Sequence, residues 1–338
     1  MDLDIKSQSR RVLLTGATGT LGYNILKRLA CDERYRVTAP VRDLHSPVVR
    51  DLASQVTFMA GDLSDALSTA QIFERVKPEV IVHCAACGLR APKGTWFDLM
   101  QFNVVSTMQL FQMNCRLDHP SHFIYVSTGL VYKEQDRPLS EDDPLGTLHP
   151  YGASKGAADA MLQAASAEFN RRLTILRPFA FTGPHDGGKR LFPLILEAAS
   201  EGRHQGLSSG TQIRDFCSVD DIADAALRVI ERKEERLIEK FNLGIGQSKT
   251  LRKLIEDVCQ ELELKADLVF GESAMHPYEP RYSVADIARA KAALGWRPKT
   301  RLAYAVWELG REIAPQLKLK EPARWIAARD GIVENSLP

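Results

Sequence analysis

The sequence predicts an α/β protein built on a doubly wound parallel sheet. Two observations carry that expectation. Short apolar runs at 12–14, 36–40, 56–60, 80–83 and 122–126 alternate with helical segments, the order that builds parallel sheets. The first run, Val12 to Leu14, is followed by Gly16, Gly19 and Gly22, and then by Tyr23 to Ala30 with Ile25, Leu26 and Leu29 on one helical face. Strand, glycine turn and helix together present backbone N–H groups and a helix N-terminus to a pyrophosphate. Glycine suits the turn because a side chain would hold phosphates away from the backbone. Gly16, Thr18, Gly19, Thr20, Leu21 and Gly22 are therefore candidate cofactor contacts. The spacing is Gly-x-x-Gly-x-x-Gly, not the Gly-x-Gly-x-x-Gly of the standard fingerprint, and a tight turn without a ligand is the plain alternative.

Composition narrows the class. The 338 residues are 44% hydrophobic and 26% charged, ordinary for a globular protein of one large or two smaller units. Lys plus Arg number 44 against 43 for Asp plus Glu, which gives no electrostatic case for nucleic acid or a membrane surface. No apolar run approaches the ~20 residues that span a bilayer. Residues 1–11 are polar and carry no secretory signal pattern. Cys31, Cys84, Cys87, Cys115, Cys217 and Cys259 are scattered, and Cys84-x-x-Cys87 lacks the second half of a zinc site, so no metal is expected. A reducing cytoplasm is the expected location.

The second strand ends Val41-Arg42-Asp43. An acidic residue at Val41 would reach the adenosine ribose; Arg42 instead suits a 2′-phosphate, which points to NADP, with NAD possible. A solvated Arg42 paired with Asp43 is the alternative. After the third strand come Asp62 and Leu63; Asp62 is placed to accept from an adenine amino group or to cap the helix starting near Ser64. The fourth strand runs into Ala85 and Ala86, small enough for a cofactor to lie across the strand ends. Asn103 precedes an expected helix over 104–115, as an N-cap or as an amide bridging backbone groups. His83, at the end of an apolar strand, reads as a satisfied core histidine.

The fifth strand delivers Ser127 and Thr128 at its carboxyl end, where ligands of open α/β sheets bind. A polar loop over 134–150 follows, then Pro150-Tyr151-Gly152-Ala153-Ser154-Lys155 opens an alanine-rich helix. Tyr151 and Lys155 share one helix face. A tyrosine with a pKa of about 10 needs nearby positive charge to act as a base near neutral pH. Lys155 with an oxidised nicotinamide would supply it. Tyr151 would then exchange a proton with a substrate hydroxyl while Thr128 holds the same oxygen. An ordinary surface pair is the alternative.

Together, the glycine turn, the Ser-Thr pair and Tyr-x-x-x-Lys resemble the extended short-chain dehydrogenase/reductase superfamily, in its nucleotide-sugar-modifying epimerase/dehydratase branch. Further blocks are similar: residues 80–86, Leu176-Arg177-Pro178-Phe179 with Gly183-Pro184, Ile213-Arg214-Asp215-Phe216, Phe241-Asn242-Leu243-Gly244 and Ala293-Leu294-Gly295-Trp296. The resemblance implies a Rossmann-type domain over 1–178, with 216–246 returning to it. A smaller C-terminal substrate-binding domain would comprise 179–215 and 247–338. It further implies catalytic Thr128, Tyr151 and Lys155, a cofactor contact at Pro178, and substrate contacts at Thr128, Phe179, Arg214 and Arg281. A homodimer through helices near 95–115 and 151–169 is also implied.

Departures from the family shape the reaction. The family's 4,6-dehydratases carry Asp-Glu after the threonine; Gly129 and Leu130 stand here, so water elimination is not expected. Hydride chemistry remains, as 4-epimerisation or 4-ketoreduction of a nucleotide sugar, and Arg42 tips the balance toward the reductase. Ala180 replaces an asparagine that reaches the diphosphate, and His276 replaces a phosphate-binding arginine; Arg281, Arg190 or Lys189 are available to compensate. Arg214 matches the other phosphate-binding arginine, although a salt bridge to Asp215 or Asp220 would account for it equally. A reductase of a non-nucleotide ketone and a non-catalytic cofactor sensor are the competing readings.

In the C-terminal part, a mobile loop is expected over 183–190 and helices over 192–200, 219–232, 249–264 and 286–294. A strand is expected over 268–271, a solvated charge run over 231–239, and a peripheral helix and tail carrying Trp307 and Trp325.

Overall fold

The computed structural model describes residues 9–88, 95–119, 121–187, 190–233, 236–275 and 277–325; Lys189 and His276 lie outside them. In chain order the elements are β1 (Arg10–Thr15), α1 (Thr20–Ala30), β2 (Tyr35–Val41), α2 (Pro47–Leu52), β3 (Thr57–Ala60), α3 (Ala66–Val76) and β4 (Val80–His83). Then come α4 (Trp96–Met100), a π-helical turn (Gln101–Val105), α5 (Ser106–Cys115), β5 (His122–Val126), α6 (Pro150–Phe169), β6 (Arg172–Pro178) and β7 (Ala180–Thr182). The remainder is α7 (Leu191–Ser200), β8 (Gln205–Leu207), β9 (Ile213–Arg214), β10 (Phe216–Ser218), α8 (Val219–Glu231), β11 (Ile238–Leu243), β12 (Lys249–Thr250), α9 (Leu251–Glu261), β13 (Leu268–Phe270), β14 (Tyr282–Ser283), α10 (Ala288–Leu294) and α11 (Leu302–Ile313).

Seven parallel strands form the main sheet in the order β11-β6-β5-β4-β1-β2-β3. The chain builds outward from β1 to β3, then crosses back to β4 and continues the other way. The switch point lies between β1 and β4, where Val12 pairs with Val80 and Thr15 with His83. Both faces are covered, which is why the central strands are continuously apolar. Val12, Leu14, Val80 and Ile124 pack with α1 and α8 on one side; Leu13, Ile81, Phe123 and Ile175 pack with α3, α5 and α6 on the other. A third core joins α7, α9 and α11 through Ile195, Leu196, Val258, Val306 and Trp307.

Several expectations change here. The charge run over 231–239 leads into β11, because the apolar members of Ile238–Leu243 complete the edge of the main sheet beside β6. Glu239 is buried there and pairs with Arg232 at 2.8 Å. Trp307 is buried in the third core and not peripheral, whereas Trp325 is exposed. The stretch 247–338 does not lie wholly with that smaller core: Ile287, Ala290, Leu294 and Trp296 join the core beside the sheet. Trp296 is fully buried and its indole N–H donates to the Asp221 carbonyl at 2.8 Å. Among the described residues, no helix is long and apolar enough to cross a membrane.

Candidate active site

The three glycines of the β1–α1 turn have different reasons to be glycine. Gly16 has φ +74°, and a Cβ there would sit 2.5 Å from the Ala85 nitrogen; at Gly22 it would sit 2.1 Å from the Gly16 carbonyl oxygen. The fold itself demands both. Gly19 is exposed, and the nearest atom to a Cβ there is 3.4 Å away, an ordinary contact. The chain's own packing thus leaves Gly19 free to carry a side chain, and a bare backbone there suits a group approaching from outside. No side chain caps α1 and no acidic residue lies in its first turn, so the positive end of the helix is not met by a side chain of its own. These features fit a dinucleotide diphosphate. Thr18 is exposed, Thr20 partly buried and Leu21 buried.

At the end of β2, Val41 is buried and Arg42 exposed. Asp43 is not seen to hold Arg42; its carboxylate accepts from the His45 N–H at 2.8 Å. Arg42 instead acts on Asp62 across the strand ends, and helps to hold that carboxyl below its usual range, after the Ser64 hydrogen bonds that dominate. Asp62 accepts from the Ser64 N–H and hydroxyl at 2.9 and 2.8 Å, but does not cap the next helix. Asp65 caps α3, accepting from Leu67 and Ser68. Leu63 is half-buried beside it.

Beyond β4, Ala85 is partly buried and Ala86 exposed at the switch point. His83 is satisfied in the core, bonded to Thr15 at 2.7 Å and Thr107 at 2.9 Å, and burial pushes its pKa down to about 3. Asn103 is not an N-cap. The helix begins earlier, at Trp96, where Thr95 and Asp98 form a capping box, and Asn103 lies inside the π-helical turn. Its amide bridges backbone: it accepts from the Cys87 N–H at 2.7 Å, donates to the Cys87 carbonyl at 3.2 Å and donates to Ser154 Oγ at 2.9 Å. Ser154 in turn donates to the Tyr151 carbonyl at 2.8 Å. One side chain thereby ties the loop after β4 to the first turn of α6.

Thr128 lies two residues beyond β5 and accepts from the Leu130 N–H at 3.2 Å, leaving its hydroxyl hydrogen free for another acceptor. A Cβ on Gly152 would lie only 2.2 Å from the Leu130 carbonyl oxygen, so the start of α6 is pressed against the turn that follows Thr128. Tyr151 and Thr128 are thus delivered to the same sheet end. Burial pushes Tyr151 up to about 12; the charge of Arg190 acts downward and Cys87 adds to the rise. Lys155, one turn along, is almost fully buried, with Nζ 4.1 Å from the centroid of the Tyr125 ring. Burial pushes Lys155 down to about 8, against the opposing charge of Asp159.

The expected substrate contacts fare differently. Phe179 is buried, stacked 6.3 Å from Tyr132 and pressed under Gly129, so it supports the site instead of facing it. Pro178 is buried at the end of β6, opposite Leu243. Arg214 pairs with Glu279 and the Pro280 carbonyl, not with Asp215 or Asp220. Asp215 accepts three backbone N–H groups, from Ile245, Gly246 and Ala285, and Asp220 faces Arg28 at 3.2 Å. Arg281 is exposed, and its backbone N–H donates to Glu134. The segment 183–187 is anchored through Asp186, not free over the site.

Two groups escaped sequence reasoning. Asp159 lies four residues beyond Lys155 and pairs with Arg177; the helical spacing from Tyr151 and Lys155 was the available signal. The other is Asp186, which lies four residues before Arg190, the side chain it pairs with.

A model of the NAD dependent epimerase/dehydratase family matches residues 12–244. The chain belongs to that family. It is an enzyme family of the extended short-chain dehydrogenase/reductase type. A relative described as putative UDP-arabinose 4-epimerase 4 of Arabidopsis thaliana is 26% identical over 294 residues, covering 76% of this chain; the chain spans 66% of the plant protein's length. The dTDP-glucose 4,6-dehydratase of Neisseria gonorrhoeae is 24% identical over 318 residues, 86% of this chain and 91% of that protein. Among solved structures, the UDP-glucuronic acid 4-epimerase from Bacillus cereus, in complex with UDP-glucuronic acid and NAD, superposes with a TM-score of 0.80. It is 25% identical, and the match covers 90% of this chain and 99% of that one.

Proposed function

We propose that this family member is an NAD(P)-dependent 4-epimerase of a nucleotide sugar. The observation that carries the reading is the close seating of Gly152 on the turn after Thr128, which brings Thr128 and Tyr151 to one sheet end while Lys155 sits beneath. The glycine turn, with Thr18, Thr20, Leu21 and the α1 N-terminus, would hold the diphosphate; Asp62, Leu63, Ala85, Ala86, Asn103 and Pro178 would line the rest of the dinucleotide groove. A nicotinamide held there would supply the reversible hydride exchange at C4 that epimerisation requires. Tyr151 takes the proton from the C4 hydroxyl and later gives it back, and the Thr128 hydroxyl keeps that oxygen in line. Because burial holds Tyr151 protonated, its deprotonation calls on the positive charge of Lys155 and the bound cofactor. Arg214 and Arg281 would face the substrate diphosphate, with Glu279 giving up Arg214 on binding.

Dehydration is disfavoured by position 129. A Cβ there would lie 2.8 Å from the Phe179 ring, so the aspartate used for water elimination has no room unless that buried ring moves. Arg42 favours a second reading, a 4-ketoreductase using NADP, since it alone of the cofactor contacts suits a 2′-phosphate.

The same reading divides the chain into a dinucleotide-binding sheet domain and a smaller part around the third core that covers the sugar. It includes a homodimer, supported by exposed Trp96, Phe97 and Met100 on one helix and Met161 and Phe169 on α6. The free cysteines suit the cytoplasm.

Calorimetric titration with NAD(H) and NADP(H), after assay for nucleotide carried through purification, tests the cofactor assignment. Carried-over NAD supports the epimerase. Reversible NADPH binding that is lost in Arg42→Ala would transfer support to the reductase.

A further inference from the structure

Three consecutive residues, Pro184 to Asp186, lie against the turn between β1 and α1. The Pro184 carbonyl accepts from the Asn24 amide at 2.8 Å, and the Asp186 carboxylate accepts from the Thr20 hydroxyl at 3.4 Å. Between them the His185 ring stacks on Tyr23 with centroids 4.2 Å apart, and its Nε2 lies 3.3 Å from the Thr18 carbonyl oxygen. His185 does this at φ +61°, a left-handed backbone that a non-glycine residue holds only when its surroundings require it. The segment is itself held from the smaller part of the chain. Glu312, near the end of α11, accepts from the His185 N–H at 2.7 Å. Arg190, just before α7, donates to Asp186 at 2.7 Å, and Thr182 at the end of β7 does so at 2.8 Å.

The turn has a use for such support. It carries Gly16, Gly19 and Gly22, and glycine loses more conformational freedom on folding than any other residue. Within it, the Gly19 N–H donates to the Gly16 carbonyl at 3.0 Å and the Tyr23 N–H to the Gly19 carbonyl at 2.8 Å. Gly19 is exposed, and its two chain neighbours, Thr18 and Thr20, are the residues that His185 and Asp186 contact. A ligand that meets a loose turn must order it on binding, and a turn already held removes that penalty.

We propose that His185 is a positioning residue for the dinucleotide. With Pro184 and Asp186 it holds the turn around Gly19 in its binding shape, and so couples the smaller, sugar-covering part of the chain to the cofactor site. His185 acts through Thr18 and Tyr23, not by touching the cofactor. The proposal rests on the reading of this turn as the seat of a cofactor diphosphate.

The test is the rate at which NADH or NADPH leaves the loaded full-length enzyme, followed by the loss of its bound fluorescence when excess oxidised cofactor is added. His185→Asn tolerates the left-handed backbone but has no ring to stack, and should speed release about tenfold. His185→Phe keeps the ring and should stay within about threefold of the wild type. Asn24→Leu removes the donor to Pro184 and should also speed release, less than additively with His185→Asn because both loosen one segment. At saturating cofactor, KM for the sugar should move less than about twofold in His185→Asn, since no sugar contact is removed. An unchanged release rate in His185→Asn overturns the proposal. So does an equal acceleration in His185→Asn and His185→Phe, because the stack would then carry nothing. If His185→Asn fails to fold, Asn24→Leu decides by the same criterion. A wild type that holds neither dinucleotide sinks the cofactor reading itself, whereas tight binding left intact by His185→Asn sinks only the role of His185.

Discussion

Two nitrogens of the Arg177 guanidinium meet one oxygen of Asp159, each at 2.9 Å, between side chains that are 1% and 0% exposed. The pair links β6 to α6 one turn beyond Lys155. Arg177 also donates to the Tyr132 hydroxyl at 2.8 Å, and Tyr132 donates to Asn242 on β11 at 2.6 Å. Four segments are thereby locked beneath the site. The negative charge of Asp159 partly offsets the burial that lowers Lys155.

Removing one partner should leave the other charge buried and uncompensated. Arg177→Met should lower the urea unfolding free energy by about 3–5 kcal/mol, and Asp159→Leu by a similar amount. The double variant Arg177→Met/Asp159→Leu should be more stable than either single one. Equal additive losses would show that the pair does not act as a unit.

Acid should act through His83. Its folded pKa, about 3, lies below the unfolded value of about 6.5, so the unfolded chain binds more protons between those values. The stability from burying neutral His83 is fully present above about pH 6.5 and is lost as pH falls below it, by about 2 kcal/mol at pH 5. Asp215 and Asp221, both raised to about 6 by burial, act oppositely, gaining stability as pH falls toward their unfolded values. The informative quantity is therefore a difference. Between pH 7.5 and pH 5, His83→Gln should lose less stability than the wild type in paired denaturation curves, and parallel losses would remove His83 from the account.

Gly129→Asp tests the reaction class. The new side chain must displace the Phe179 ring, so the variant should lose about 1–3 kcal/mol by overpacking and gain no dehydratase activity. Formation of a 4-keto-6-deoxy sugar by this variant would show that the missing carboxylate alone separates this chain from the dehydratases.

Much of the sheet was legible because its strands are buried on both faces and read as unbroken apolar runs. The positions of Thr128 just beyond β5 and of Tyr151 and Lys155 one turn apart on α6 were legible because strand end and helix spacing place them locally. Arg42 was visible, but the neighbour its charge bears on was not: Asp62 lies two residues beyond β3, and only the sheet brings it beside the end of β2. Arg214 likewise turned to Glu279, sixty-five residues along the chain. The strand Ile238–Leu243 was obscured by the charged residues before it, and Asn103 by a helix start at Thr95 whose capping box was overlooked. Asp186 was missed although its partner Arg190 lies only four residues on, because its contact with Thr20 of α1 forms only in the fold.

The proposed dimer makes its own prediction. Phe97 is 74% exposed and Trp96 64% exposed on the first turn of α4. Light scattering should give twice the chain mass for the wild type and the single-chain mass for Phe97→Glu. A monomeric wild type at micromolar concentration would contradict the dimer.

The most direct test of the central claim is conversion of UDP-linked hexoses, hexuronic acids and pentoses to their 4-epimers, followed chromatographically with the cofactor-loaded wild type and Tyr151→Phe. The account predicts that the wild type interconverts at least one pair and that Tyr151→Phe slows it by about a hundredfold or more while still binding cofactor. Near-normal interconversion by Tyr151→Phe would contradict it.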